Sequence, residues 1–267
     1  MRPQEVRPQD MKKIAIIGAG RVGTALGEAF KLAGYEIVGI VSRNYDHSKK
    51  LMKLTGCKYW TSNPQDVAKL SDIILISVSD SAIKLISNSL VPVISPETLL
   101  VHTSGALASS ILGSRRALSM HPIASFVGNK LQKGTYFGIE GDIQDGKKLV
   151  KSIGGIPIII SHELKPLYHS GLNFGAAYIL TLLNTGKKLL EISGIKDSEK
   201  VILSLASSTL HNAKKRGIKN SLTGPIQRGD IEIVEQELQG IKQFCPEMLE
   251  FYKILVRETE KLVNENE

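Results

Sequence analysis

The stretch "KKIAIIGAGRVGTALGEAFKLAG", Lys12–Gly34, narrows the possible folds more than any other part of the chain. An apolar strand-like run leads straight into Gly18, Gly20 and Gly23, and helical apolar spacing follows up to a stop at Gly34. Glycines in G-x-G-x-x-G spacing mean little alone. Between a strand and an amphipathic helix they carry a mechanism. The first permits a tight turn, the second lets backbone approach a pyrophosphate, and the third lets the helix pack on the strand. With Ala19, Arg21 and Val22 they form a turn whose following helix offers unpaired N–H groups to a phosphate. The reading is a dinucleotide site in a Rossmann-type unit.

The rest of the first half supports a doubly wound sheet. "EIVGIVSRN", "SDIILISVSD", "TLLVHTSGA", "ALSMHPIA", "TYFGIEGD" and "GIPIIIS" are β-rich runs separated by helix-like or turn segments. "SDIILISVSD" is apolar on both faces, as a buried parallel strand requires. After Ser161 such runs disappear. Helical spacing covers 163–193, 197–216, 230–242 and 246–264. The expected fold class is α/β: a flexible leader over 1–10, a Rossmann parallel sheet over 11–162, and an all-α domain over 163–267.

Composition excludes several classes. Of 267 residues 42% are hydrophobic, yet no apolar run reaches membrane-span length. "MRPQEVRPQD" lacks the apolar region of a signal peptide. Cys57 and Cys245 have no disulfide, redox or metal spacing, which fits a reducing cytoplasm. No metal is expected. The net charge is +8, but basic residues are scattered and aromatics make up 5%, so nucleic acid is not an expected partner.

Other residues fall where this architecture places its ligands. Ser42, Arg43 and Asn44 end the second strand, where NAD enzymes place a carboxylate to hold the ribose. A guanidinium and a hydroxyl suit a 2′-phosphate, so NADP(H) is the expected cofactor. Ser77, Val78 and Ser79 line the nicotinamide side, and Asp80 with Ser81 caps the next helix. His102, Thr103, Ser104 and Gly105 end the fifth strand and offer an imidazole, hydroxyls and N–H groups to cofactor and substrate. His121 faces the site or supports it. His169 and Asn173, four apart on one helix face, are candidate acid/base groups for reducing C=O or C=N.

In this order "GAGRVG", "VHTSGA", "MHPIASF", "LYHSG" and "LTGPIQRGD" closely resemble bacterial Rossmann-like proteins with a C-terminal domain of unknown function numbered 2520. The resemblance runs over nearly the whole chain from Lys12. Members are described as candidate NADP oxidoreductases. They are similar in plan to pyrroline-5-carboxylate reductase, 6-phosphogluconate dehydrogenase and the β-hydroxyacid dehydrogenases. The resemblance implies a helical domain that dimerises, and acid/base groups on the first long helix, where His169 and Asn173 fall. Two departures stand out. The relatives' catalytic lysine has no counterpart in "LYHSGLNFG", and Ala177 replaces a frequent Asn. The leading expectation is a homodimeric NADP(H)-dependent reductase or dehydrogenase of a small anionic metabolite. The missing lysine keeps a non-catalytic NADP-binding sensor as the alternative.

The loop "SLTGPIQRGD" then reads as a roof over the substrate pocket of its own or a partner subunit, with Thr223 and Arg228 as substrate contacts. Asp230 caps the next helix or pairs with Arg228.

Overall fold

A computed structural model describes residues 12–126, 128 and 130–265. The leader expected over 1–10 lies outside them. Strands β1 (Lys13–Ile17), β2 (Glu36–Val41), β3 (Trp60–Thr61), β4 (Ile73–Ile76), β5 (Leu99–His102), β6 (Ala117–Pro122), β7 (Tyr136–Gly141) and β8 (Ile156–Ile159) form one sheet. Its order is β3-β2-β1-β4-β5-β6-β7-β8. All neighbours pair parallel except β6 and β7, which are antiparallel. Helices α1 (Arg21–Leu32), α2 (Tyr45–Thr55), α3 (Asp80–Leu90) and α4 (Ile143–Ser152) complete the crossovers.

The period of two along each strand divides the core into two layers. Ile14 and Ile16 face Leu26, Phe30, Leu51 and Leu149 on one side of the sheet. Ala15 and Ile17 face Val67, Ile83 and Leu90 on the other. Burying each of the larger side chains contributes about 1.5–3 kcal/mol. β4 and β5 are buried along their whole length, which explains why their sequences lack polar alternation. Local signals fix the helix ends: the Asn44 side chain accepts from the His47 N–H at 3.2 Å to start α2, and Gly56, with φ 73°, stops it.

The strand order reverses between β1 and β4. Their ends are in register, Ile17 opposite Ile76, so the two following loops lie side by side at the carboxyl edge. Ligands of such sheets bind in this crevice.

The chain divides into two compact units, one ending at Phe174 and one spanning Gly175–Glu267. That boundary is one helix later than the 162/163 division read from the sequence. Helix α5 (Lys165–Phe174) stays with the sheet because Lys165 is fully buried. The single helix expected over 163–193 is broken at Ala176 (φ −126°, ψ −92°), where α6 (Ala177–Ile192) begins. The second unit is helical as expected, continuing with α7 (Ser198–Arg216), α8 (Pro225–Arg228), α9 (Ile231–Phe244) and α10 (Leu249–Asn264). Among the described residues no helix is long and apolar enough to cross a membrane.

Candidate active site

The glycine turn occupies the switch point. Gly18 has φ 103°, and a Cβ there would lie 2.2 Å from the Ser77 carbonyl oxygen. A Cβ on Gly23 would lie 2.0 Å from the Gly18 carbonyl oxygen. These two glycines are demanded by the protein's own packing. Gly20 is not: nothing lies within 4 Å of where its Cβ would be. That open cradle is where backbone can approach a ligand. Gly20 is also the N-cap of α1, which has no side-chain cap and no acidic residue in its first turn. The first amides of α1 are therefore free to bind an anion, and the residues fit a dinucleotide pyrophosphate.

A cavity of about 460 Å³ opens beside the turn. Gly20, Arg21 and Val22 line one end, and Ser77, Val78 and Asp80 come from the loop after β4. Thr103, Ser104 and Gly105 follow β5, His121 comes from β6, and His169 from α5. The two imidazoles meet edge to face, with ring centroids 5.9 Å apart. Gly105 is the hinge of this group: a Cβ on it would lie 2.5 Å from His169 Cδ2 and 2.8 Å from His121 Cε1. Only glycine lets the β5 turn lie against both rings.

Beneath the cavity sits Lys165, fully buried. Its ammonium donates to the Ser119 Oγ and to the Ser104 carbonyl at 3.5 Å. Burial lowers its pKa from 10.5 to about 8, opposed by the Glu140 and Asp80 charges. Burial, the Lys165 charge and His169 lower His121 from 6.5 to about 4. At neutral pH the site thus holds a buried cation beside a neutral imidazole.

Several expectations from the sequence need correction. His102 does not line the cavity; it is fully buried under the β5 turn, where its Nδ1 accepts from the Ser104 N–H at 3.2 Å. Its Nε2 is buried without a hydrogen-bond partner among the described residues. Burial, then Lys165, lowers its pKa to about 4. His102 thus supports the β5 turn from beneath. Asn173 is half-buried but one turn farther along α5, and is not among the cavity-lining residues. Ser79, not Asp80, is the N-cap of α3, and it makes no capping bond; Asp80 instead lines the cavity. Ser42 and Asn44 bond to each other at 3.1 and 3.2 Å, and Asn44 caps α2, so both are committed to the loop. Arg43 remains exposed, with no ion-pair partner among the described residues.

Thr223 and Arg228 belong to the helical unit. Asp230 takes the Arg228 guanidinium at 2.9 and 2.8 Å, so the grip expected for a substrate is satisfied within the loop. Asp230 stands at the N-cap of α9 but its side chain makes no capping bond, because it turns back to Arg228.

Lys165 and Tyr168 escaped the sequence reading. Lys165 lies four residues before His169, the spacing that puts two side chains on one helix face, and just ahead of "LYHSGLNFG". Nothing local marked Tyr168, whose hydroxyl lies 2.8 Å from His121 Nδ1.

Residues 2–124 match the Rossmann-like domain family, and residues 135–259 match the domain of unknown function DUF2520. No curated protein matches the chain. Among solved structures, protein TM1727 from Thermotoga maritima shares 26% identity over 94% of this chain and 98% of its own, with a TM-score of 0.79. A candidate NADP oxidoreductase, BF3122 from Bacteroides fragilis, shares 22% over 94% and 98%, with a TM-score of 0.74. The pyrroline-5-carboxylate reductase of Coxiella burnetii has the same fold at 15% identity over 94% and 98%, with a TM-score of 0.61. On the eight-stranded sheet and the helical unit, the chain thus carries a Rossmann-like domain followed by a DUF2520 domain.

Proposed function

We propose that this chain is an NADP(H)-dependent oxidoreductase that moves hydride to or from a C=O or C=N carbon of a small anionic metabolite. One observation carries the reading: a single cavity is lined at one end by the open glycine turn and at the other by two imidazoles. The fold shared with reductases supports it. A bound nicotinamide supplies or accepts the hydride. The chain's own residues do the rest. The α1 amides and Arg21 hold the pyrophosphate. Arg43 takes a 2′-phosphate, and no carboxylate at the end of β2 opposes it. Thr103, Ser104 and the Gly105 turn hold the substrate beside His121. The Lys165 charge favours an anion there, and His169 exchanges the proton. A buried lysine, Lys165, lies one turn before His169, which favours the catalytic reading over a non-catalytic NADP-binding sensor.

The test is titration of the protein with NADPH and NADH, followed by fluorescence. NADPH binds more tightly, and Arg43→Ala cuts the preference by about tenfold, ~1.4 kcal/mol. Equal binding of both cofactors would remove NADP from the proposal; binding of neither would remove the oxidoreductase.

The proposal extends to a cytoplasmic homodimer associating through the helical unit. Leu180, Leu203, Leu205 and Leu210 are 65%, 44%, 63% and 53% exposed in the single chain. Both cysteines are buried and unpaired, as suits a reducing compartment.

A further inference from the structure

His121 and Tyr168 form a built contact that the hydride reading leaves unused. The two rings meet edge to face with centroids 5.8 Å apart, and the Tyr168 hydroxyl lies 2.8 Å from His121 Nδ1. The sheet makes room for it. His121 on β6 pairs directly with Gly138 on β7. A Cβ on Gly138 would lie 2.3 Å from the Tyr168 hydroxyl oxygen, so glycine alone lets the phenol reach the imidazole.

Hydrogen-bond accounting then fixes the protons. Among the described residues the Tyr168 hydroxyl bonds only to His121 Nδ1. Were Nδ1 protonated, the phenol would accept and its own half-buried proton would have no acceptor. With Nδ1 unprotonated, the phenol donates and both groups are satisfied. The ring proton then sits on Nε2. No protein group among the described residues bonds Nε2, and it is not one of the buried orphan nitrogens, so it is open to the cavity that His121 lines. The groups facing the ring are Lys165 and His169 on α5, Asp80 on α3 and His102 on β5. Lys165, His169 and His102 oppose a second proton; Asp80 favours one. Burial raises the Tyr168 phenol to about 12, which keeps it a donor.

We propose that Tyr168 is a positioning residue that holds His121 in its Nε2–H form, so that His121 offers the substrate a neutral hydrogen-bond donor and leaves proton transfer to another group. This rests on the oxidoreductase reading for its consequence but not for its geometry. A donor that stays neutral binds the oxygen or nitrogen on the reacting carbon, or a substrate carboxylate, without delivering a proton.

The decisive experiment is nitrogen NMR of the histidine rings in the free, ¹⁵N-labelled protein, with His121 assigned by comparison with His121→Gln. The wild type shows Nδ1 unprotonated and Nε2 protonated through neutral pH. Tyr168→Phe yields a mixture of both tautomers, and Gly138→Ala, which displaces the hydroxyl while keeping it, does the same. NADPH affinity stays within about twofold in Tyr168→Phe, while turnover falls roughly tenfold, the order expected for one lost orienting hydrogen bond. A proton on Nδ1 in the wild type, or an unchanged tautomer in Tyr168→Phe, overturns the proposal. If the tautomer responds but no substrate is ever reduced, the positioning contact stands and the oxidoreductase reading fails.

Discussion

The sheet unit and the helical unit are both built from amphipathic segments, but they finish their cores differently. Buried apolar side chains fill both faces of the sheet, whereas among the described residues the helical unit contributes only Ile241 and Cys245 to the buried apolar set. α6 buries no residue fully, and α7 buries only Ser198. The first unit is filled between β1 and β7, leaves Ile156, Ile158 and Ile159 of its edge strand β8 exposed, and carries every residue lining the candidate cavity. The second presents apolar faces that a single copy leaves in water, and large faces of that kind mark interaction surfaces. The proposed chemistry and the proposed association thus fall in different parts of the chain, and each can be broken separately.

The largest effect is expected at Gly20. Since nothing lies within 4 Å of its Cβ position, Gly20→Val keeps the fold and loses only about 1 kcal/mol through the poorer N-cap. The added side chain fills the space through which backbone approaches a pyrophosphate, so NADPH binding by fluorescence is abolished. Gly18→Ala is the contrast, since its Cβ would strike the Ser77 carbonyl and cost stability too. A Gly20→Val protein that binds NADPH normally would end the dinucleotide assignment.

A smaller effect is expected in the other unit. Leu205→Asp places a charge on an exposed apolar position of α7. Measured by light scattering, dimer dissociation strengthens about 100-fold, which corresponds to ~2.7 kcal/mol or one leucine removed from each side. NADPH binding survives, because the glycine turn belongs to the other unit. A protein that is monomeric before the substitution would break the comparison at its second half.

How much of this was written in the sequence depends on how local the physics is. The glycine turn was readable because strand, turn and helix are contiguous, and Gly18 and Gly23 answer to neighbours a few residues away or one strand over. The Ser42–Asn44 segment was placed correctly at the end of β2, but its internal hydrogen bonds were not visible; of the three expected cofactor contacts, Arg43 alone is left uncommitted to the loop. The meeting of His121, Gly105 and His169 joins β6, a β5 turn and α5, and only the assembled sheet brings them together. His102 was misjudged because a strand-end histidine points into the cavity or beneath the turn according to a local twist that no residue type signals. The break at Ala176 was hidden for a similar reason: small residues there read as room for close packing, yet they also let the helix stop.

Lys165 tests whether the first unit gives up stability for its site. A fully buried ammonium whose pKa falls from 10.5 to about 8 costs folding free energy on the order of 3 kcal/mol. Its bonds to Ser119 and Ser104 offset part of that. Lys165→Met therefore raises stability by about 1–2 kcal/mol at neutral pH while lowering turnover. The sign of the pH dependence is fixed by the lowered value. Above about 10.5 the lysine is neutral in both folded and unfolded chains and carries no charge penalty. As pH falls from there to about 8, the unfolded chain takes up the proton first and the folded state loses ground. Below about 8 both states are charged and the penalty is constant. The methionine variant lacks this dependence, so its advantage in chemical denaturation is full at pH 7 and shrinks steadily towards pH 10. An advantage that is absent at pH 7, or that grows with pH, would mean that the ammonium is stabilised in place, and that the sheet unit meets no cost for the charge at the centre of its site.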